Sequence, residues 1–355
     1  MKLFLFILVL FASLGGAVAA AECELSLAPV IPVVKGREAR LHYYNIARCN
    51  NIDNYIINSS LAGSGFSNLA ESLRIIGENP GDYNLTLTAK DGDGAAKASA
   101  ECIIRVVDDS VKPDIKAIFI GDSLTHAAVY LAELKNLMGS SLTLYGTRTD
   151  TRPDSTGRSW DIDHEGRSSW AYRDYVGQPE KAGMPNAFFD PETKTFDFSY
   201  YMKEHPEFGD VTDVFLLSGP NDVGDKNYIG NLNRITDSIR LFSKTVRIHI
   251  MLPLPNCRDG YGWGVRNHYH YLNFKNAIFD YCKEIIDAYG KADRTSIIST
   301  NANIDCRYDF PVTRVPANSR NPQTVEVVNE NVHPNQYGYY RMADMIYADI
   351  IANCR

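Results

Sequence analysis

The sequence has no excess of positive charge. Its 355 residues carry 36 lysines and arginines against 43 aspartates and glutamates, a formal net charge of −7 at pH 7. A surface of that sign repels nucleic-acid phosphates and anionic lipid headgroups, so the charge argues against nucleic-acid binding and against a polybasic membrane patch. Tandem repeats and low-complexity tracts are also lacking. Hydrophobic residues make up 45% of the chain, enough for a core, so wholesale disorder is disfavoured.

The cysteines lack the CxxC spacing that is typical of zinc sites and thioredoxin-type redox sites. Three cysteines lie early in the chain and four late, which leaves several disulfide pairings open, and the odd count leaves at least one thiol unpaired within the chain. They are Cys23, Cys49, Cys102, Cys257, Cys282, Cys306 and Cys354.

Only one long hydrophobic run is present, and it stands at the start of the chain. Lys2 supplies a positive charge, residues 3–14 are almost continuously apolar, and Ala17 and Ala19 are small residues at the cleavage positions of an export signal. The run is short for a membrane span, which needs about 20 residues. We therefore expect a signal peptide over residues 1–21 and an exported chain, periplasmic or extracellular, without stable membrane insertion.

Two regions with different residue patterns follow. Residues 22–110 alternate apolar and polar positions between turn sequences, which is typical of an all-β domain. The hairpin formed by Asp82–Ala89 and Ala98–Val107, around the turn at Asp91–Gly94, resembles the end of an immunoglobulin-like module, a small β-sandwich. The role of this domain is open between a spacer and a glycan-binding module.

Residues 111–355 alternate short apolar runs with segments of helical periodicity. That alternation predicts an α/β domain with a parallel sheet covered on both faces, and such sheets place their sites at the carboxyl ends of the strands. Helices are predicted at 127–137, 231–242, 269–289 and 336–351. The predicted strands are Ile115–Ile120, Leu142–Tyr145, Asp213–Leu217, Arg247–Leu252 and Ser296–Ser299.

Four polar blocks fall at or near those strand ends. Ser123 follows the first strand and begins a helix, and Asn221 follows the third strand. Gly166 lies in the segment between Ser123 and Asn221, and His333 precedes the last helix. A serine at a strand-to-helix turn exposes its hydroxyl near the positive end of the helix dipole, an amide can donate a hydrogen bond, and a histidine can act as a base. Each block alone also fits a structural role as an N-cap, a turn or a packed side chain.

Together the blocks resemble the SGNH hydrolase superfamily, also called the GDSL esterases, in which Ser, Gly, Asn and His occur in this order. The resemblance covers residues 114–355. The segments Phe196–Met202 and Leu252–Pro255 add a likeness to the exported bacterial branch that carries an N-terminal β domain and includes carbohydrate esterases. The resemblance implies a flavodoxin-like, three-layer α/β/α fold.

The resemblance also implies a mechanism for a serine esterase. Ser123 would be the nucleophile and His333 its base. The oxyanion hole would combine the backbone N–H groups of Ser123 and Gly166 with the side-chain amide of Asn221. No metal ion and no organic cofactor is implied.

Two positions depart from the family pattern. Glu330 stands three residues before His333, where the family usually has Asp. Glu330 is assigned to orient the imidazole, with a backbone carbonyl as the alternative. Ser169 stands where the resembling block often has Gly, and only a local effect is expected from it.

Aromatic residues near the blocks suggest the substrate. Trp170 lies beside the Gly166 block, and Tyr261 and Trp263 follow the fourth strand. Such rings suit the apolar faces of sugars, although they equally suit packing of a loop onto helices. The expected substrate is an acetyl or similarly short acyl ester, carried by a glycan. The alternatives are a GDSL lipase or thioesterase acting on longer acyl chains, and a non-catalytic glycan-binding protein.

Overall fold

The structure, a computed structural model, describes residues 22–61, 63, 65–257, 271–328 and 332–354. The signal peptide predicted at 1–21 lies outside them. Within the described ranges, no helix is both long and apolar enough to cross a lipid bilayer.

The N-terminal region, residues 22–107, consists largely of strands. The main sheet has the order β2-β9-β8-β5, a second sheet has the order β3-β7-β6, and β1 pairs with β4. Strands β8 and β9 form the long antiparallel hairpin that the sequence predicts. The strands are β1 (Cys23–Leu25), β2 (Val30–Val34), β3 (Glu38–His42), β4 (Ala47–Cys49), β5 (Ile56–Ser59), β6 (Phe66–Asn68), β7 (Ser72–Ile76), β8 (Gly81–Lys90) and β9 (Ala96–Val107), with a short helix α1 (Tyr43–Ile46) after β3. The immunoglobulin-like sandwich and the domain boundary at residue 110 remain predictions.

The second region mixes strands and helices, so the α/β class is as predicted. Its strands are β10 (Ile115–Gly121), β11 (Leu142–Tyr145), β12 (Arg148–Pro153), β13 (Ser159–Gly166), β14 (Glu180–Lys181), β15 (Met184–Pro185), β16 (Phe189–Asp190), β17 (Thr195–Phe196), β18 (Asp213–Leu217), β19 (Arg247–Met251), β20 (Thr295–Ile298), β21 (Val312–Asn318) and β22 (Asn321–Val328). Its helices are α2 (Ser123–His126), α3 (Val129–Met138), α4 (Tyr172–Gly177), α5 (Phe198–Glu204), α6 (Tyr228–Phe242), α7 (Tyr271–Tyr289), α8 (Thr300–Asn303) and α9 (Gln336–Asn353).

Strand β10 is the centre of the parallel sheet. It pairs in parallel with β11, β13 and β18, and the parallel order continues through β19 to β20. All residues of β18 are buried, as expected for a nearly continuous apolar run covered on both sides. At the carboxyl end, Gly121 lies beside Gly166 on one side and Leu217 on the other. The polar blocks that follow β10, β13 and β18 therefore emerge at one edge. The flavodoxin-like, three-layer description remains a prediction.

Two hairpins are absent from the sequence prediction. Strands β12 and β13 pair antiparallel, and their sequences alternate Thr, Asp and Arg with few apolar residues. Strands β21 and β22 also pair antiparallel, and most of their residues are exposed. Strands β12, β21 and β22 are largely exposed, and β13 buries the polar residues His164 and Glu165. These strands therefore lack the apolar alternation by which strands are recognised in a sequence.

A buried cluster of charges lies near the amino ends of the strands. The imidazole of His249 in β19 is 1% exposed, with Nε2 2.9 Å from Asp213 Oδ1 and Nδ1 2.7 Å from Asp349 Oδ2. Burial lowers the pKa of His249, but its hydrogen bonds to the two carboxylates outweigh burial and raise that pKa well above its ordinary value. The imidazolium therefore lies as a cation between two anions.

The same cluster contains a set of atoms with metal-ligand character. The ligand atoms of Asp213, His249 and Cys354 lie within 4.8 Å of one another. However, the guanidinium of Arg247 contacts both oxygens of Asp213, at 2.7 and 2.8 Å. A fixed cation at that carboxylate favours an ion-pair network over a metal centre.

Substitution of His249 by Gln is expected to lower the free energy of unfolding by about 3–5 kcal/mol, because removal of one partner leaves buried charge uncompensated. Chemical denaturation at neutral pH measures this loss. His205→Gln is the matched control, since His205 contacts the 61% exposed Glu207 at 3.2 Å, and its cost should stay below about 1 kcal/mol. Equal losses in the two variants would contradict the role of the network.

Candidate active site

The serine of the first block stands at a sharp strand-to-helix turn. Ser123 is the first residue of α2, two residues after the end of β10. A Cβ atom at Gly121 would lie 2.2 Å from Thr125 Oγ1, so only glycine allows the helix to start so close to the strand. The side chain of Ser123 is half-buried. Its backbone N–H belongs to the first helical turn, where amide groups have no acceptor within the helix.

Two carboxyl groups are buried directly behind this edge. Asp122 accepts the backbone N–H of Leu124 at 2.9 Å, and Asp222 accepts the backbone N–H of Tyr172 at 3.0 Å and the hydroxyl of Ser218. Burial raises the pKa of each aspartate to about 7. Near neutral pH each carboxyl therefore carries less than a full negative charge, which weakens its repulsion of an anion formed at Ser123.

The histidine of the last block contacts the serine. His333 Nε2 lies 2.8 Å from Ser123 Oγ, across a separation of 210 positions in the chain. Asn335, the N-cap of α9, holds the turn that carries His333 in place. Its side-chain amide donates to the carbonyls of Tyr308 and Phe310 at 2.9 and 3.3 Å, and its Oδ1 accepts two N–H groups of the first helical turn. The serine and the histidine are thus within hydrogen-bond reach, as nucleophile and base must be.

Three residues assigned from the sequence lie outside the described residues. They are Glu330, assigned to orient His333, and Tyr261 and Trp263, assigned to substrate binding. Their roles remain predictions.

Asn221 lies in a turn that is bonded to a neighbouring segment. Its side-chain Nδ2 donates to the backbone carbonyl of Trp170 at 3.0 Å, and its backbone carbonyl accepts from Arg173 Nη2 at 3.0 Å. Because an amide group has two N–H bonds, the contact with Trp170 engages only one of them. The structure thus brings the Asn221 amide next to the segment that follows β13.

Gly166 does not have the role that the sequence assigns to it. Its backbone N–H donates to His164 Nδ1 at 2.9 Å, and Nε2 of the same imidazole lies 3.0 Å from Asp150 Oδ2. The N–H is therefore directed at a side chain beneath the surface and is not aimed at a substrate. The glycine serves close packing, since a Cβ atom there would lie 2.2 Å from the backbone nitrogen of His126 in α2.

Ser169 offers the backbone donor that the sequence assigns to Gly166. The N–H of Trp170 donates to the carbonyl of Arg167 at 3.3 Å, which closes a four-residue turn, and Ser169 has a φ of +65° at its third position. A positive φ at that position alone is typical of a type II turn, in which glycine is favoured and the central peptide is flipped relative to a type I turn. Ser169 is exposed, and its N–H belongs to the central peptide of this turn, next to the residue that Asn221 contacts. The only signal in the sequence was a serine at a position where glycine is common.

Trp170 does not fit the substrate-binding role that the sequence assigns to it. Its side chain is fully buried, its ring lies 4.9 Å from that of Tyr175, and its Nε1 donates to the carbonyl of Lys181 at 3.3 Å. A ring without exposed surface cannot stack on a sugar. Trp170 instead anchors the turn that carries Ser169.

The chain was compared with known proteins. No protein-family model and no curated protein matches it. Among solved structures, an acetyl esterase mutant with an acetate ion is 16% identical, with 67% of this chain and 97% of that chain covered and a TM-score of 0.42. A family 3 carbohydrate esterase from Clostridium thermocellum is 18% identical, with the same coverage and a TM-score of 0.42. A PKD domain is 16% identical over 27% of this chain and 96% of its own length, with a TM-score of 0.21.

Replacement of Ser169 by glycine is expected to raise the free energy of unfolding by up to about 1 kcal/mol, because it removes the strain of a positive φ on a residue with a Cβ atom. Thermal denaturation measures the gain. Ser168→Gly is the matched control, because Ser168 is not among the residues with positive φ and glycine there only adds unfolded-state entropy. A loss of stability in Ser169→Gly equal to that of the control would contradict the type II turn.

Proposed function

We propose that the chain is a serine esterase of the SGNH type that removes acetyl or other short acyl groups from a carbohydrate. The observation that carries the proposal is the 2.8 Å contact between Ser123 Oγ and His333 Nε2 at the carboxyl edge of a parallel sheet. A hydroxyl becomes an effective nucleophile when an adjacent base accepts its proton.

The first half of the reaction forms an acyl-enzyme. Ser123 Oγ attacks the ester carbonyl while its proton moves to His333 Nε2. The tetrahedral intermediate then collapses, the bond to the alcohol oxygen breaks, and His333 returns the proton to that oxygen. The products are a free sugar hydroxyl and an acyl group bonded to Ser123. A water molecule, activated by the same imidazole, releases the acid and restores the serine.

The oxyanion accepts hydrogen bonds from the backbone N–H groups of Ser123 and Ser169 and from the Asn221 amide. Three features support this set. Ser123 lies at the start of a helix, Ser169 is exposed with its N–H in the central peptide of its turn, and Asn221 is bonded to the residue that follows Ser169. The raised pKa values of Asp122 and Asp222, about 7, keep the negative charge behind the hole small.

Substitution of Ser123 by alanine is expected to reduce kcat/KM for p-nitrophenyl acetate and for acetylated xylan by at least about 10⁴-fold, because the nucleophile is lost. Acetate release measures the activity, and a serine-directed fluorophosphonate should label the wild type at Ser123 but not the variant. Equal rates in the two chains would refute the mechanism. An unlabelled, inactive wild type would favour a glycan-binding protein without catalysis, and activity confined to long acyl chains would favour a lipase.

Asn221→Ala is expected to lower kcat by about 10²–10³-fold with little change in KM, because one oxyanion donor is lost. Asn58→Ala serves as the matched control, since Asn58 is exposed on β5, and it should retain full activity. A rise in KM at unchanged kcat in Asn221→Ala would instead assign the amide to substrate binding.

A further inference from the structure

A cavity of about 220 Å³ lies between the N-terminal strands and the loop that follows α8. This volume is below the roughly 300–1,000 Å³ of pockets for drug-sized ligands and suits a group of about the size of one sugar ring. The residues that line it and bear on its chemistry are His42, Tyr44, Tyr55, Glu71, Asp305 and Arg307.

One residue that lines this cavity has a buried polar atom without a partner among the described residues. His42 is 8% exposed, and its Nε2 has no hydrogen-bond partner among the described residues. Burial lowers the pKa of His42 to about 4, so the imidazole is neutral at ordinary pH. An unsatisfied buried polar atom is unfavourable. If the imidazole turns toward the cavity, a ligand hydroxyl can satisfy it, because a hydroxyl can donate to or accept from a neutral imidazole nitrogen.

The walls of the cavity favour a neutral ligand with many hydroxyl groups. Tyr44 and Tyr55 contribute aromatic rings, which suit the apolar face of a sugar. Arg307 contacts Glu71 at 3.4 Å, and Asp53 and Asp305 add two further carboxylates to the wall. With the single guanidinium paired, the cavity offers no attraction to phosphate or to a uronic acid.

The loop that forms one wall also supports the catalytic turn. Arg307 lines the cavity, and the carbonyl of the next residue, Tyr308, accepts the amide of Asn335, two residues after His333. Along this connection Arg307 and His333 are at most about 20 Å apart. A few linked sugar units are long enough to bridge that separation.

We propose that this cavity is a subsite for one neutral sugar unit of the glycan whose ester is presented to Ser123. The N-terminal strands then contribute to substrate choice, because they supply His42, Tyr44 and Tyr55. The link to ester cleavage rests on the proposed function, whereas sugar binding in the cavity does not.

Titration calorimetry of Ser123→Ala with neutral oligosaccharides from xylan and cellulose tests the binding. We expect His42→Gln and Tyr55→Ala, each added to Ser123→Ala, to weaken binding at least tenfold. Tyr308→Ala is the matched control, since Tyr308 is 69% exposed and lies outside the cavity lining, and it should bind as Ser123→Ala does. Thermal denaturation checks that each variant is folded. Absence of binding by Ser123→Ala, or unchanged binding in a folded cavity variant, would overturn the subsite.

Kinetics of the same substitutions in the active chain separate the sugar subsite from the esterase function. In His42→Gln and Tyr55→Ala, KM for acetylated oligosaccharides should rise while hydrolysis of p-nitrophenyl acetate stays unchanged. If the wild type cleaves no ester but the cavity variants lose sugar binding, the esterase proposal fails and the subsite stands. If esters are cleaved and neither cavity variant changes the KM for oligosaccharides, the subsite fails and the esterase stands.

A second, independent observation concerns two thiols. Cys23 of β1 and Cys49 of β4 are direct cross-strand partners, and both are buried. Opposed residues on antiparallel strands have Cα atoms about 4.5–5.5 Å apart, within the roughly 4.4–6.8 Å that a disulfide spans. No backbone movement is needed to join them.

We infer that Cys23 and Cys49 form a disulfide in the exported chain. The hydrogen bond from Cys23 and the charge of Lys275 outweigh burial and lower the pKa of Cys49 to about 7, which favours its thiolate. This thiolate attacks a small-molecule or protein disulfide and expels one thiolate. Cys23 then attacks the Cys49 sulfur of the mixed disulfide and expels the second thiolate, which takes up the Cys23 proton. Two cysteine thiols are oxidised and one external disulfide is reduced.

Non-reducing peptide mass spectrometry of the chain produced in an oxidising compartment tests the disulfide. Peptides that contain Cys23 and Cys49 should be recovered as one linked species, two hydrogen masses lighter than their sum. Reduction should lower the Tm of the wild type and of the control Cys102→Ser, but not that of Cys49→Ser. Alkylation of both cysteines in the unreduced, denatured chain would refute the bridge.

Discussion

The close approach of backbones at the carboxyl edge of the sheet is the constraint on which the site depends. Gly121 and Gly166 lie side by side, and a Cβ atom on either would come within 2.2 Å of an atom of α2. Because both side chains are absent, α2 begins directly on the strand ends and presents Ser123 there. The turns that carry Ser169 and Asn221 follow the strands on either side of β10 at the same edge, so three segments distant in sequence meet there.

The protonation states of buried groups differ between the two ends of the sheet. At the amino ends, His249 is held as a cation between carboxylates, and each charge has a fixed partner. At the carboxyl end, the pKa values of Asp122 and Asp222 are raised to about 7, and His164 beneath Gly166 has its pKa lowered by burial. The first arrangement stabilises the fold by ion pairing. The second leaves Asp122 and Asp222 with less than a full negative charge each, while the same end also holds a buried ion pair between Glu165 and Arg167.

Much of this architecture is legible in the sequence, and the exceptions have physical causes. Strands Leu142–Tyr145 and Asp213–Leu217 coincide with their predictions. The second is buried on both faces and is a continuous apolar run, whereas the first alternates buried leucines with less buried residues. The pairing of Ser123 with His333 follows from the order of the blocks. The backbone N–H donor of Ser169 could not be predicted, because the residue type does not determine the backbone φ. Burial of Trp170 could not be predicted either, because an aromatic ring suits a core as well as a sugar.

The hairpin of β21 and β22 stands between the loop that supports Asn335 and the turn that carries His333. Its strands pair from Val312 with Val328 to Asn318 with Asn321, so its two ends lie side by side whatever the length of its tip. Extra residues at the tip would leave the base of the hairpin unchanged. The tip of this hairpin is therefore a suitable place for an insertion, by evolution or by design, because an added module would leave the turn that carries His333 unchanged.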